Sequence, residues 1–145
     1  LASEWIFAQS SSTPLAFLML DIDHFKKIND NYGHAAGDAV LRQLANILKN
    51  ASRSEDMVFR YGGEEFAAIL TNAHQRVALQ IAERIRFAVE KTDFHWEDQH
   101  IPVTLSVGVA IATGLEKDSL ELIQAADAAL YQAKEGGRNR VVASG

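Results

Sequence analysis

Two pairs of carboxylates carry the strongest chemical signal in this chain. Asp21 and Asp23 close the apolar run LMLDID. A carboxylate at the carboxyl end of a buried strand, beside a helix start, is a usual place for a metal or a ligand. Solvated loop acids or helix caps have the same composition. Glu64 and Glu65 follow Gly62-Gly63. Adjacent carboxylates at a hairpin tip repel unless something cationic sits between them; an exposed acidic turn is the alternative. If the hairpin pairs beside the first strand, Glu64 and Asp21 could meet. Hard oxygen ligands from two strands, completed by phosphate oxygens, describe a Mg²⁺ site, with Mn²⁺ as the substitute.

Cations and polar side chains stand near those acids. Lys26 and Lys27 open a short polar segment, and Lys134 and Arg138 lie four apart near the carboxyl end. They suit a polyphosphate, helped by backbone N–H groups around His24 to Lys26 at a helix start. For Lys134, complementing a helix dipole is the simpler reading. Asn29 and Asp38 bracket NDNYGHAAGD. If its glycines fold that loop back, both can point into one pocket. A carboxylate accepts from guanine N1–H and the amino group, while an amide donates to O6 or N7. Turn formation alone also accounts for both residues. The five His form no ligand pattern; His95 and His100 have only Glu97 and Asp98 nearby. No nucleophilic Ser sits in a motif with a base.

These residues need elements to hold them. Pro14 to Ile22 reads as a buried strand, and Asp23 to Tyr32 as one or two helical turns. A helix is predicted from about Asp38 to Asn50, with Val40, Leu41, Leu44, Ile47 and Leu48 on its inner face. Met57 to Tyr61 and Glu65 to Leu70 read as strands joined by a tight Gly62-Gly63 turn of positive φ. A helix follows from about His74 to Lys91, then an irregular or short edge segment from Thr92 to Gln99. Ile101 to Ala112 reads as one strand. Asp118 or Ser119 caps a helix running to about Lys134, which Gly136-Gly137 ends. Arg140 to Ala143 is a last strand. The order β-α-α-β-β-α-β-α-β predicts an α/β (α+β) fold, a mixed sheet flanked by helices of the ferredoxin-like type.

Composition narrows the classes. With 145 residues the chain suits one domain. It lacks Cys, which excludes disulfides, thiolate zinc sites and thiol catalysis. Its 14 basic and 19 acidic side chains give −5, a poor charge for nucleic acid or an anionic membrane. Pro14 to Leu20, the longest apolar run, is too short for a membrane helix, and Leu1 to Ser12 lacks the features of a secretory leader. The expected setting is cytoplasmic.

Six ordered segments then carry a resemblance: DIDHFKKIND (Asp21 to Asp30), YGHAAGDAVL (Tyr32 to Leu41), RYGGEEF (Arg60 to Phe66), SVGVA (Ser106 to Ala110), ADAALYQAK (Ala126 to Lys134) and GRNRV (Gly137 to Val141). In order and spacing they resemble the GGDEF family over about Pro14 to Val142. The resemblance implies a palm-type sheet like that of nucleotidyl cyclases. It also implies diguanylate cyclase activity, condensing two GTP into cyclic di-GMP and two pyrophosphates in a facing homodimer. By motif position Asp21, the carbonyl of Ile22 and Glu64 would hold the metal. Glu64 would be the acid–base carboxylate, with Glu65 supporting it or joining a second metal. Asn29 and Asp38 would read guanine; Lys26, Phe25, His34, Lys134 and Arg138 would complete the substrate site. Arg53 and Asp56 match the family's inhibitory product site, with Arg84 or Arg86 as a second surface. A guanidinium and a carboxylate there suit the phosphates and edges of guanine. The family's opening Asp-x-Leu-Thr-x-Leu-x-Asn-Arg segment is missing. The expectation is therefore a fragment of a longer protein with an amino-terminal sensory or membrane module, lacking the domain's amino-terminal edge. The alternatives are a non-catalytic GTP or cyclic di-GMP receptor and a cyclase with a mixed product.

Overall fold

A computed structural model describes residues 13–112 and 118–144. The segment Leu1 to Ser12, on which the leader expectation rested, lies outside the described residues. A five-stranded mixed sheet has the order β2-β3-β1-β6-β7, from β1 (Leu15–Ile22), β2 (Met57–Gly62), β3 (Glu65–Thr71), β6 (Leu105–Ile111) and β7 (Arg140–Ala143). Only β6 and β7 pair in parallel; the other neighbours are antiparallel. The expected fold class is the one observed.

Every residue of β1 is buried, because the strand has a neighbour on each edge and helices on each face. Alternation along it assigns the faces. Ala16, Leu18, Leu20 and Ile22 pack into the larger core with α2 (His34–Ala51) and α3 (Gln75–Lys91), through residues such as Val40, Leu44, Ile81 and Ile85. Leu15, Phe17 and Met19 point the other way, onto Leu122, Ala126 and Leu130 of α4 (Ser119–Glu135). By the same alternation Asp21 emerges on the α4 face. Gly108, opposite Met19, lets α4 lie directly on the sheet. A Cβ there would fall 2.2 Å from Ala126 O and 2.3 Å from Leu130 N. Asp118 caps α4 as expected, its Oδ1 accepting from Glu121 N–H at 3.1 Å. No helix of the described residues is long and apolar enough to cross a membrane.

Four local expectations are corrected. The helix expected from Asp38 begins at His34, directly after α1 (Phe25–Tyr32), so Gly37 lies inside α2 rather than in a loop. Gly33 alone makes the break, at φ 95°. Neither Gly62 nor Gly63 has positive φ. The hairpin instead shifts register between Arg60 and Gly62, and such a bulge adds the twist that a primed turn would have supplied. Arg60 Nε braces this tip by donating to Gly63 O at 2.9 Å. Residues 92–104 hold a separate small hairpin, β4 (Phe94–Trp96) with β5 (Gln99–Ile101). Pro102, lacking an N–H, follows β5, so Ile101 is not part of β6.

Candidate functional site

The sheet register brings the acids together at the carboxyl end of β1. Asp21 lies directly opposite Glu65, with Glu64 in the adjoining turn, so the cross-strand partner is the second glutamate of the pair. On its other side Asp21 faces Ser106. Like charges directly opposite each other destabilise a sheet unless a cation intervenes. One cation is present: Lys134, in the last turn of α4, forms an ion pair with Asp21 Oδ2. Asp21 Oδ1 is buried and has no hydrogen-bond partner. Burial raises the Asp21 carboxyl above its ordinary range, and the nearby Lys134 and Arg138 charges partly oppose this. Burial likewise raises Glu65, helped by the charges of Asp21, Asp127 and Glu64.

This donor set fits a hard divalent cation. An unpartnered buried carboxylate oxygen is costly, and it is the kind of group that a metal satisfies. Among the described residues no three His, Cys, Asp or Glu side chains form a ready cage. A Mg²⁺-type site needs only one or two carboxylates when substrate phosphates complete the shell.

Asp23 does not join Asp21 as a metal candidate. Its Oδ1 accepts from Ser106 Oγ at 2.6 Å, and its Oδ2 from Thr104 Oγ1 at 2.7 Å and Asn139 N–H at 2.9 Å. It anchors the segment before β7 to the end of β1. Sequence reading missed this because the three donors come from 81 to 116 residues away.

Asn29 packs against Gly37, the residue before Asp38, at the corner between α1 and α2. Gly37 makes that corner. A Cβ on it would lie 1.9 Å from Asn29 Oδ1 and 3.2 Å from Phe25 Cζ, so the Asn29 carboxamide rests on bare helix backbone. Gly37 is a candidate site residue that the sequence reading treated only as a loop glycine. The available signal was a glycine inside an otherwise helical pattern, which usually has a packing reason. Asp38 is exposed and lines a groove of about 940 Å³ between α2 and β2, with Leu41, Arg42, Phe59 and Phe66. Lys26 and His34 are exposed in the first turns of α1 and α2. His24, with φ 56°, precedes α1 and provides no side-chain cap.

Arg53 and Asp56 lie after α2, at the end of the β2–β3 hairpin away from Glu64. At roughly 3.3 Å per residue, β2 separates the two ends by about 20 Å. The Asp56 side chain is fully covered. It accepts from Arg53 Nη2 at 2.7 Å and from Arg53 N–H at 2.8 Å, so the pair closes its own loop. Arg53 Nη2 also donates to Thr71 O at 2.9 Å. Arg84 Nε donates to Ala51 O at 2.9 Å, which puts Arg84 beside this loop. Arg86 turns elsewhere, to Glu83, Glu90 and Asn139. His100 pairs with Asp93, at Nδ1···Oδ1 2.8 Å, and both side chains are exposed.

Comparison with known proteins gives the family and the fold. Residues 1–140 match the family model described as diguanylate cyclase, GGDEF domain. The chain is 46% identical over 130 residues to diguanylate cyclase A of Treponema denticola, covering 90% of this chain and 35% of that protein. It is 47% identical over 135 residues to diguanylate cyclase DosC of Escherichia coli, covering 92% of this chain and 29% of that protein. It thus spans about a third of the length of these relatives. Among solved structures, the GGDEF domain of DgcB from Caulobacter crescentus in complex with c-di-GMP matches with a TM-score of 0.94 at 35% identity, covering 99% of this chain and 85% of that one. The active GGEEF domain of a diguanylate cyclase from Vibrio cholerae matches with a TM-score of 0.94 at 34% identity, covering 99% and 91%.

Proposed function

The chain belongs to the GGDEF domain family, and from that premise we propose that it is a diguanylate cyclase, converting two GTP into cyclic di-GMP and two pyrophosphates. The observation that carries this reading is Asp21 Oδ1, a buried, unpartnered carboxylate oxygen beside Lys134 and across from Glu65. A scaffold with nothing to bind would gain nothing from burying such a group at the end of β1.

In this reading Asn29 and Asp38 bind the guanine edge in the groove beside α2, with Phe25 and His34 at its border. Lys26, Lys134 and Arg138 hold the triphosphate. Asp21, the carbonyl of Ile22 and Glu64 hold Mg²⁺ or Mn²⁺, which when bound neutralises phosphate charge and lowers the pKa of the attacking hydroxyl. The 3′-hydroxyl of one GTP attacks the α-phosphorus of the other. A phosphorus–oxygen bond forms, the bond to the β-phosphate bridge breaks, and pyrophosphate leaves. Glu64 takes the hydroxyl proton, and Glu65 keeps it oriented. The second, reciprocal step closes the ring.

One domain has one base-reading pair and one set of phosphate cations, so it holds one GTP. Turnover needs two domains facing each other, and raising their effective concentration is a means of activation. Arg53, Asp56 and Arg84 form a product site on the far end of the hairpin. There cyclic di-GMP displaces the Arg53–Asp56 contact and ties this face to a second surface. Incubation of the intact protein with GTP and Mg²⁺, followed by chromatography, should yield cyclic di-GMP. Glu64→Gln, which removes charge without changing size, should abolish product while leaving the circular dichroism spectrum intact. Near-wild-type turnover by that variant would overturn the assignment.

A further inference from the structure

Three successive residues after α4 take positive φ: Gly137 at 121°, Arg138 at 64° and Asn139 at 46°. Glycine adopts this region freely and asparagine tolerably, whereas arginine resists it. The surrounding contacts hold the segment in place. Arg138 N–H donates to Ala133 O at 3.0 Å, tying it back to α4. Asn139 N–H donates to Asp23 Oδ2 at 2.9 Å. Asp23 is itself fixed by Ser106 Oγ, by Thr104 Oγ1, and through its own N–H to Thr104 O at 3.0 Å. From the other side α3 braces the Asn139 carboxamide. Arg86 Nη1 donates to its Oδ1 at 2.8 Å, and its Nδ2 donates to Glu90 Oε2 at 2.6 Å. Arg138 is therefore clamped before and after its Cα, yet its guanidinium donates no hydrogen bond among the described residues. Its charge reaches Asp21.

We propose that Asp23 and Asn139 are positioning residues of the triphosphate subsite. Asp23 anchors the Asn139 N–H, the carboxamide is braced from α3, and the resulting left-handed turn fixes Arg138 just beyond Lys134, whose ammonium pairs with Asp21. This rests on the reading of Lys134 and Arg138 as the cations that hold the GTP phosphates. The role of Asp23 is then to accept hydrogen bonds in a fixed geometry. Asparagine can do the same: its carbonyl oxygen takes the place of Oδ2, and its amino group donates to the Ser106 hydroxyl. A metal ligand would not survive that exchange.

The test is calorimetry on the intact protein with Mg²⁺, using two probes. One is 3′-deoxy-GTP, which lacks the attacking hydroxyl, and the other is guanosine, which lacks phosphates. Asp23→Ala should weaken 3′-deoxy-GTP about tenfold, an effect of roughly 1.4 kcal/mol, and leave guanosine unchanged. Combining it with Arg138→Ala should add little beyond Arg138→Ala alone, because both remove the same contact. Asp23→Asn should stay within about threefold of wild type, by the acceptor argument. Asn139→Pro deletes the N–H and forces negative φ without entering the core, so it should reproduce the Asp23→Ala loss even if that variant does not fold. Asn139→Gly keeps the N–H and permits the conformation but loses the carboxamide brace, so its loss should be smaller than that of Asn139→Pro. Equal losses in Asp23→Asn and Asp23→Ala would overturn the inference. So would full additivity with Arg138→Ala, or unchanged 3′-deoxy-GTP affinity in Asn139→Pro. Failure of the wild type to bind 3′-deoxy-GTP would instead overturn the proposed function.

Discussion

Gly37→Ala separates folding from recognition at a single methyl group. The new Cβ would sit 1.9 Å from Asn29 Oδ1 and 3.0 Å from its Cγ, so the carboxamide must rotate off the helix. Both atoms belong to the end of a flexible side chain, and Phe25 Cζ at 3.2 Å need yield only slightly. The fold therefore absorbs the change cheaply. Alanine also favours a helix interior over glycine by roughly 0.5–1 kcal/mol, so net stability should be unchanged or higher. Recognition moves the other way. An amide swung away from a base edge forfeits a hydrogen bond and leaves the base partner unmet, a loss of about 1–3 kcal/mol. That corresponds to roughly 5- to 150-fold weaker binding of GTP. The assay is calorimetry with 3′-deoxy-GTP alongside urea denaturation, on Gly37→Ala, Asn29→Ala and the double variant. The expected pattern is weaker nucleotide binding with intact stability, and no further loss in the double variant. GTP affinity equal to wild type in Gly37→Ala would refute the assignment of Asn29 to the base. A large drop in stability would refute the argument that the side chain can move.

Asp21 gives a pH signature in the absence of metal. Its carboxyl is raised above its ordinary 3.8 by burial, so the folded state takes up this proton before the unfolded state does. Its contribution to stability is present in full below 3.8 and is lost as pH rises through the raised folded value. The stability of Asp21→Asn relative to wild type, followed by urea denaturation, should therefore grow as pH rises above 3.8; a flat difference would count against it. Arg53→Ala should weaken cyclic di-GMP binding in calorimetry without weakening GTP. It should also lower the melting temperature, because it strips the covered Asp56 carboxylate of its guanidinium. Equal product affinity in variant and wild type would sink the product-site reading. Gly108→Ala should cost about 1–3 kcal/mol or more, since both close atoms are α4 backbone and cannot rotate away. Its thermal midpoint should fall well below that of wild type, and triphosphate affinity should fall with it as Lys134 and Arg138 are displaced.

Much of this molecule was fixed by local pattern. An apolar run like LAFLML must be buried on both faces, and the 3.6-residue stripes of the three long helices tell which side of each meets the sheet. The types and spacing of Asp21, Asn29, Asp38, Glu64 and Lys134 were enough to suggest metal, base and phosphate chemistry, because those side chains have few alternative partners of matching charge. Register was a different matter. Whether Glu64 or Glu65 opposes Asp21 depends on the β1–β3 register, and a one-residue difference there sends a side chain to the other face. The three-residue strands β4 and β5 are too short to show a period. Gly33 and Gly37 look alike as letters, yet one breaks a helix and the other lies inside one, where its missing Cβ makes room for Asn29. Asp23 resembled its neighbour Asp21 until hydroxyls and an N–H from distant segments closed around it. Such roles depend on which atoms arrive from across the chain, and only tertiary packing brings them together.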